Sequence, residues 1–251
     1  QLFQVSVNNS EAVWQSSKNS WGGVNGEGRE RRCTPRAIFS GFSCVGVLQE
    51  AIDDFLMSDG KSIEESGLYK EEGIGEDGIP NMYKNREPRF YQDITYSGKI
   101  WQKTDKKIYF YKGMPDDNSK ADMSYSGYLL YKGMNRDLLN QGNNPKSKYR
   151  ASMLFRLGDF YLLYAEALNH VNPGDARIIQ YVDSIRYRAG IPLLKDIKPE
   201  IIGNRELQEK AIRHERRIEL LPKDSVILMY VVGCVPKKRD INKAALFMVW
   251  I

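Results

Sequence analysis

Cysteine and histidine are scarce in this chain of 251 residues, which contains three cysteines and two histidines. Cys33, Cys44 and Cys234 have spacings that form neither a disulfide framework nor a CxxC motif, so they indicate no redox compartment. His170 and His214 lie on separate segments, which argues against a histidine-rich metal site and leaves few ways to build a Ser-His-Asp triad. We therefore expect neither a metal site nor a cofactor.

Long apolar runs and a strong net charge are also missing. Residues 226–235 and 244–251 are apolar, but both runs are far shorter than the roughly 20 residues of a membrane-spanning helix. The 37 basic and 32 acidic residues leave a net charge of +5, which is too small and too scattered to form a nucleic-acid-binding face. With 41% hydrophobic residues, the composition is that of a globular chain with a core.

The last third of the chain has the periodicity of helices. Residues 150–170 are apolar around most of a helix circumference, so we expect neighbours on more than one side. A second helix should begin at residues 172–173 and end at Gly190, and a third should span residues 204–221. The charges of the third helix alternate in sign and are assigned to a solvated face: Glu206, Lys210, Arg213, Arg217 and Glu219.

The first two thirds alternate between short elements and long loops. Residues 47–56 carry an apolar helical stripe, and residues 90–111 favour strands. The polar, glycine-bearing segments 1–45 and 112–149 are typical of loops, where functional surfaces are common. The predicted fold class is therefore mainly α, with long loops and a small β-hairpin or meander.

Segments that match phosphate-binding, calcium-binding or glycosidase motifs lack the flanking elements or residues that these sites require. Residues 73–78 match GxGxxG but neither follow a strand nor open a helix, so we predict a flexible turn. Residues 116–122 lack the turn glycine and bidentate glutamate of an EF-hand loop. The sequence singles out no two carboxylates as the facing pair of a glycosidase. Glu166 lies in a helix that we predict to be buried, so we expect it to have a basic partner.

Aromatic residues in loops are the strongest functional signal. A pyranose presents a face of C–H bonds that can lie on an aromatic ring while its hydroxyls bond to polar groups, which is the usual combination of a ligand site. Large rings are also commonly packed in the core. The candidate glycan-stacking residues are Trp14, Trp21, Trp101, Tyr125 and Tyr128.

Five segments, in order and with matching intervening loops, resemble the SusD/RagB family of outer-membrane nutrient-binding lipoproteins. They are "LQEAIDDFLMSDGKSIEESGLY", "NREPRFYQDITYSGKIW", "MLFRLGDFYLLYAEALNHVN", "DARIIQYVDSIRYRAGIP" and "AIRHERRIEL". The resemblance spans about residues 45–220, and five segments in register make it specific.

The resemblance implies a SusD-like fold, in which tetratricopeptide-like (TPR-like) helix pairs support long loops. It implies a protein on the extracellular face of the outer membrane of Bacteroidetes, which binds oligosaccharides or other nutrients and covers a SusC-like TonB-dependent transporter. Such proteins are not enzymes. It also implies that the segments with "REPRF", "RAGIP" and "ERRIEL" are mainly structural, so the candidates for buried ion pairs are Arg86, Arg89, Arg188, Glu215 and Arg216.

The chain departs from the family pattern at both ends. Residues 1–221 resemble a partial SusD/RagB domain, its C-terminal portion, because the family's signal peptide, lipid-carrying cysteine and most helical repeats do not precede it. We expect the start at Gln1 to be a cut, and membrane attachment to require the missing lipid anchor. Residues 222–251 replace an arginine-rich family segment with apolar runs, and our hypothesis is a reading-frame slip. Translation of the source DNA in the other frames tests it.

Two other functions stay open. A helical-repeat scaffold that binds protein without glycan is consistent with the predicted helix pair of residues 150–189. A glycoside hydrolase would require two carboxylates about 5 to 9.5 Å apart in a cleft.

Overall fold

The computed structural model describes residues 9–19, 29–117, 124–136 and 151–221, and most of its regular structure is helical. The helices are α1 (Arg29–Cys33), α2 (Arg36–Phe39), α3 (Gln49–Asp53), α4 (Pro88–Asp93), α5 (Leu157–Val171), α6 (Arg177–Ala189), α7 (Leu194–Ile197) and α8 (Arg205–Glu219). The strands are β1 (Ala12–Asn19), β2 (Ile94–Thr95), β3 (Leu129–Leu130) and β4 (Ala151–Arg156), and 3-10 turns cover Asn81–Tyr83 and Pro199–Ile201.

Two small antiparallel sheets join distant parts of the chain. β1 pairs with β4, which places Trp14 opposite Phe155. β2 pairs with β3, which places Ile94 opposite Leu130. The mainly α fold class with small β elements is confirmed.

The three long helices form one layer of the molecule. α5 packs against both α6 and α8, and they share a buried cluster that includes Leu162, Val182 and Ile212. α8 begins where the Asn204 side chain accepts a hydrogen bond from the backbone N–H of Leu207 at 3.2 Å. α6 ends at Gly190, whose φ of 76° is the left-handed conformation that glycine adopts without a Cβ clash.

A second, larger core lies beneath the loop-rich part. It joins residues from Cys33 to Leu221 and contains Trp101, Phe90 and Phe55 among its fully buried rings. Most of its side chains come from short elements and turns, so this half is held by long-range packing and not by extended secondary structure.

The predicted first long helix was wrong in its first turns. Residues 151–156 form β4, and α5 begins at Leu157. The backbone groups of β4 pair with β1, a partner that is distant in the sequence and invisible to local periodicity. The second helix begins at Arg177, after a turn in which the Asn172 carbonyl accepts from the Asp175 N–H at 3.0 Å.

Two earlier elements also differ from their predictions. Residues 88–93 form α4, with Pro88 in the first helical turn, where its lack of an N–H is harmless. Of the strands predicted over residues 90–111, the structure contains β2 and an isolated β-bridge between Ile100 and Lys107. The helix predicted over residues 47–56 covers only Gln49–Asp53. The atypical tail, residues 222–251, lies outside the described residues.

Within the part of the chain that the structure describes, no helix combines the length and apolar character needed to cross a bilayer.

Candidate functional site

Three exposed rings form a continuous aromatic surface on β1, β4 and α5. Trp14, which is 61% exposed, stacks on Phe155 with ring centroids 6.0 Å apart and an interplanar angle of 14°. Phe155 lies 6.0 Å from the ring of Phe160. We call these three rings the aromatic platform.

The local fold explains why these rings meet. Antiparallel pairing puts Trp14 beside Phe155, and cross-strand aromatic neighbours interact directly. β4 then runs without a loop into α5, whose first turn carries Phe160. The sequence pattern predicts Trp14 as a stacking residue but not Phe155 or Phe160, because both fall in a segment with the periodicity of one buried helix.

Further apolar side chains extend the platform. α5 buries Leu162 and Ala165 against its neighbours but exposes Leu157, Leu163 and Tyr164. α6 and α8 are the neighbours of α5 on its buried side. On the other side an apolar stripe of α5 is exposed among the described residues, so the predicted cover on more than one side is found in part. Exposed apolar surface of this extent is typical of a binding or interaction face.

A polar recess opens beside the platform. It has a volume of about 210 Å³, and its lining includes Ser10, Glu11, Leu157 and Arg188. The Glu11 carboxylate accepts from Arg156 at 3.1 Å and also pairs with Arg188. The recess therefore places charged and hydroxyl groups next to exposed rings, which is the combination that a sugar needs.

Tyr125 is the other predicted ring that faces outward. It is 50% exposed and lies in a turn closed by a hydrogen bond from the Gly127 N–H to the Ser124 carbonyl at 3.2 Å. The Ser124 hydroxyl donates to the Tyr128 carbonyl at 2.7 Å, which holds the turn against the core.

Trp101 corrects a prediction, because it is a core residue. Its exposure is 0%, and its ring lies 5.6 Å from the rings of Phe39 and Tyr131. Neighbouring residues of an extended segment face opposite sides, and here Ile100 takes the exposed side while Trp101 takes the buried one. Its ring is not available to stack on a ligand in this structure.

Tyr128 is likewise buried, with 3% exposure. The Tyr83 hydroxyl donates to the Tyr128 hydroxyl at 3.1 Å, which in turn donates to Oε1 of Gln49 at 2.8 Å. A buried phenol normally has such partners, so Tyr128 is a structural residue. Trp21 lies outside the described residues.

Four of the five charged residues form ion pairs. Arg89 and Glu215 are buried, as predicted, whereas the side chain of Arg188 is 41% exposed and that of Arg216 is half-buried, so burial was wrong for these two. Arg89 contacts Glu215 at 2.5 Å and Glu87 at 2.7 Å. Arg188 contacts Glu219 at 2.5 Å. Arg216 pairs with Glu166 at 3.2 Å, which confirms the basic partner expected for Glu166, although both side chains are only half-buried.

Arg86 differs from its prediction, because its partners are carbonyl groups and rings. Its Nη2 donates to the carbonyl oxygens of Ile52 and Phe55, the latter at 2.8 Å. Its guanidinium lies 5.2 Å from the centroid of the Phe90 ring. Burial lowers the pKa of Arg86, as expected for a cation that leaves water without a carboxylate beside it.

Glu219 was wrongly assigned to a solvated face. Its side chain is buried and contacts Arg156, Arg188 and Arg89. Burial by itself would raise the pKa of Glu219, but the charges of Arg156, Lys132 and Arg188 outweigh it and lower the pKa below its usual range. The local charge pattern of α8 does not reveal these partners, which belong to other elements.

The GxGxxG match is a structural turn, and residues 118–123 of the calcium-like segment lie outside the described residues. The turn of residues 73–80 is closed by hydrogen bonds from Gly75 N–H to the Ile79 carbonyl and from Asn81 N–H to the Gly73 carbonyl, both 2.9 Å. It continues into a 3-10 turn and not an α-helix. Asp116 accepts from the backbone N–H of Ala37 at 2.8 Å. Among the residues placed by the structure, no group of three or more His, Cys, Asp or Glu side chains could hold a metal ion.

Packed helix pairs beneath loops, with an aromatic surface beside a polar recess, define a mainly α protein of SusD-like fold. The chain belongs to the SusD family, whose model matches residues 10–222. The family resemblance inferred from the sequence is thereby confirmed.

Solved structures agree with this assignment. A SusD-like protein from Bacteroides fragilis NCTC 9343 has 26% sequence identity and a TM-score of 0.63, over 85% of this chain and 41% of that one. The selenomethionine form of the protein BT4246 has 22% identity and a TM-score of 0.64, over 85% of this chain and 39% of that one. The chain thus spans about two fifths of the length of these structures. A search of curated proteins finds no match.

Proposed function

We propose that this chain is part of a cell-surface glycan-binding protein that delivers oligosaccharides to a SusC-like TonB-dependent transporter. Family membership supports the general role. The observation that carries the proposal is the aromatic platform, where three large rings lie exposed beside a polar recess.

Binding at the platform is reversible and involves no covalent chemistry. The C–H face of a pyranose lies on the indole of Trp14 and the ring of Phe160, while its hydroxyls bond to Glu11 and Arg188 in the recess. Trp and Phe offer large rigid surfaces whose ordering costs little conformational entropy, because each has two side-chain torsions. Tyr125 and Trp21 are the proposed contacts on the loops.

The remaining elements of the proposal follow from the family. The protein lies on the extracellular face of the outer membrane, to which a lipid anchor attaches it. Residues 1–221 correspond to a portion of the family domain, and residues 222–251 depart from the family sequence pattern. The role is nutrient binding and not catalysis.

Native gel electrophoresis in polysaccharide gels tests the proposal. Gels that contain starch, laminarin, xylan or galactomannan should retard the chain. Trp14→Ala should raise the apparent Kd for the retarding polysaccharide about two- to tenfold, by analogy with the 0.5–1.5 kcal/mol of aromatic pairs. Ile74→Ala is the matched control, because Ile74 is equally exposed but lies on the turn of residues 73–80. Unchanged retardation of Trp14→Ala removes the platform from the site.

A protein-binding scaffold is the second candidate function. The observation that favours it is the open apolar stripe of α5, with Leu163 and Tyr164 exposed. If no polysaccharide gel retards the chain, this scaffold function becomes the better explanation of the stripe.

A further inference from the structure

A second groove runs along α6. Its lining shares Ser184 with the recess and otherwise consists of residues outside the aromatic platform and its recess. Its volume is about 480 Å³, which falls within the range of roughly 300–1,000 Å³ for small-molecule sites. We call it the α6 groove. The lining residues used below are Ile179, Gln180, Tyr187, Leu193, Lys195 and Ile202.

The lining of the groove is mostly apolar and includes one highly exposed aromatic ring, that of Tyr187. Ile179 contributes to the floor and is buried, while Ile202, on the opposite side, is half exposed. Tyr187 is 80% exposed, although a phenol ring is usually packed at least in part. Gln180 precedes Tyr187 by two turns of α6, so the two side chains face the same direction.

The opposite wall is held in place by a buried carboxylate. Asp183 of α6 accepts from the backbone N–H of Leu194 at 2.6 Å and from that of Lys195 at 3.4 Å. These bonds tie the start of α7 to α6, so the separation of the two walls is set by the fold. The groove is therefore preformed, which reduces the entropy lost when a ligand binds.

The polar groups of the groove suit an uncharged ligand rich in hydroxyls. The Gln180 amide and the Lys195 ammonium are exposed and offer hydrogen bonds to a ligand. Lys195 is the single cation of the lining and Asp183 the single anion, so the groove is balanced in charge. A phosphate or sulfate would normally require more than one cationic donor.

We propose that the α6 groove is a second glycan-binding site, in which a pyranose ring lies on Tyr187 and its hydroxyls bond to Gln180 and Lys195. This inference rests on the proposed function and adds a site to it. Two separate sites on one chain would let a long polysaccharide bind at two points, so that the second contact occurs at a high effective concentration.

Titration calorimetry with linear hexaoses tests the groove. The probes are maltohexaose, laminarihexaose, xylohexaose and mannohexaose, which are short enough to report on individual sites. For the hexaose that binds, Tyr187→Ala should raise the Kd of the groove site at least about tenfold, and Tyr187→Trp should restore it, because the indole preserves the stacking surface. Val171→Ala is the control, since Val171 is highly exposed but lies at the end of α5.

The outcomes separate the groove from the platform. If Trp14→Ala weakens binding and Tyr187→Ala does not, the groove inference is overturned and the proposed function stands. If residual binding by Trp14→Ala disappears when Tyr187→Ala is added, the groove is supported as an independent site. If none of the hexaoses binds the unmodified chain and no polysaccharide gel retards it, both are overturned.

Discussion

Glu219 is a buried carboxylate whose side chain contacts three arginines. Its Oε1 pairs with Arg156 and Arg188, its Oε2 lies 3.3 Å from Arg89, and its backbone carbonyl accepts from Lys132 at 2.9 Å. These partners come from β4, α6, α4 and the segment after β3. The side chain and the backbone carbonyl of this one residue at the end of α8 therefore link four separate parts of the fold.

Removal of this charge should destabilise the protein strongly. Glu219→Gln should lower the free energy of unfolding at pH 7 by about 3 to 5 kcal/mol, because buried arginines then lack their counter-charge. Urea unfolding followed by circular dichroism measures the change. Glu206→Gln is the matched control on the same helix, where the side chain is exposed, and it should stay within about 0.5 kcal/mol of the unmodified chain.

The pH dependence of the same residue has a definite sign. The folded-state pKa of Glu219 is lower than its ordinary value of 4.5, so the unfolded chain takes up the proton first as the pH falls. The stability that ionised Glu219 contributes is fully present above its ordinary pKa of 4.5. It is lost as the pH drops toward the lower folded-state pKa. The unmodified chain should therefore lose more stability than Glu219→Gln between pH 5 and pH 3 in urea titrations. Parallel losses in the two proteins would show that Glu219 does not titrate in this way.

At the scale of elements, a capping residue and charges near its two ends determine where α8 begins and ends. Its start is capped by Asn204, and Glu206 lies in the first turn, where a negative charge favours the positive end of the helix dipole. Arg216 and Arg217 lie in the last turn. The capped start places the buried face of the helix, including Glu215 and Glu219, in register with the arginines of its neighbours.

Loss of the cap should have a moderate effect. Asn204→Ala should lower the free energy of unfolding by about 1 kcal/mol, because the Leu207 N–H loses its acceptor. Asn204→Asp should retain most of the stability, since its carboxylate caps equally well. Thermal melting measures both variants. Equal melting temperatures for Asn204→Ala and the unmodified chain would mean that the cap contributes nothing.

At the scale of the whole molecule, two cores support two surfaces. The smaller core holds α5, α6 and α8 together, and these helices carry the α6 groove and part of the aromatic platform. The larger core gathers loop residues around Trp101. Arg89 and Arg186 both contact Glu215, at 2.5 and 3.3 Å, and so connect the two parts through α8.

The two tryptophans should respond differently to substitution. Trp101→Ala should lower the free energy of unfolding by about 3 to 5 kcal/mol, because it leaves a large cavity in the core. Trp14→Ala should change it by less than about 1 kcal/mol, since only an exposed ring contact is lost. Urea unfolding compares the two variants. A small effect at Trp101 would contradict its role as a core residue.

Local chemistry in the sequence determined the helices of the last third, including the cap of α8 at Asn204 and the end of α6 at Gly190. It also determined that no α-helix follows the GxGxxG turn, so that turn is not a phosphate-binding motif. Neighbouring residues decide such features, so a single segment contains the information. The five ordered segments also sufficed for the family.

Tertiary structure alone decided which rings face solvent. Trp14 was predicted in a polar loop and Trp101 in a hairpin, both as ligand-stacking rings, yet one lies on a surface strand pair and the other in the core. It also brought Phe155 beside Trp14, exposed Tyr187 and buried Glu219 among arginines. The physical reason is that exposure and ion pairing depend on contacts between residues far apart in the chain, which periodicity and charge pattern do not encode.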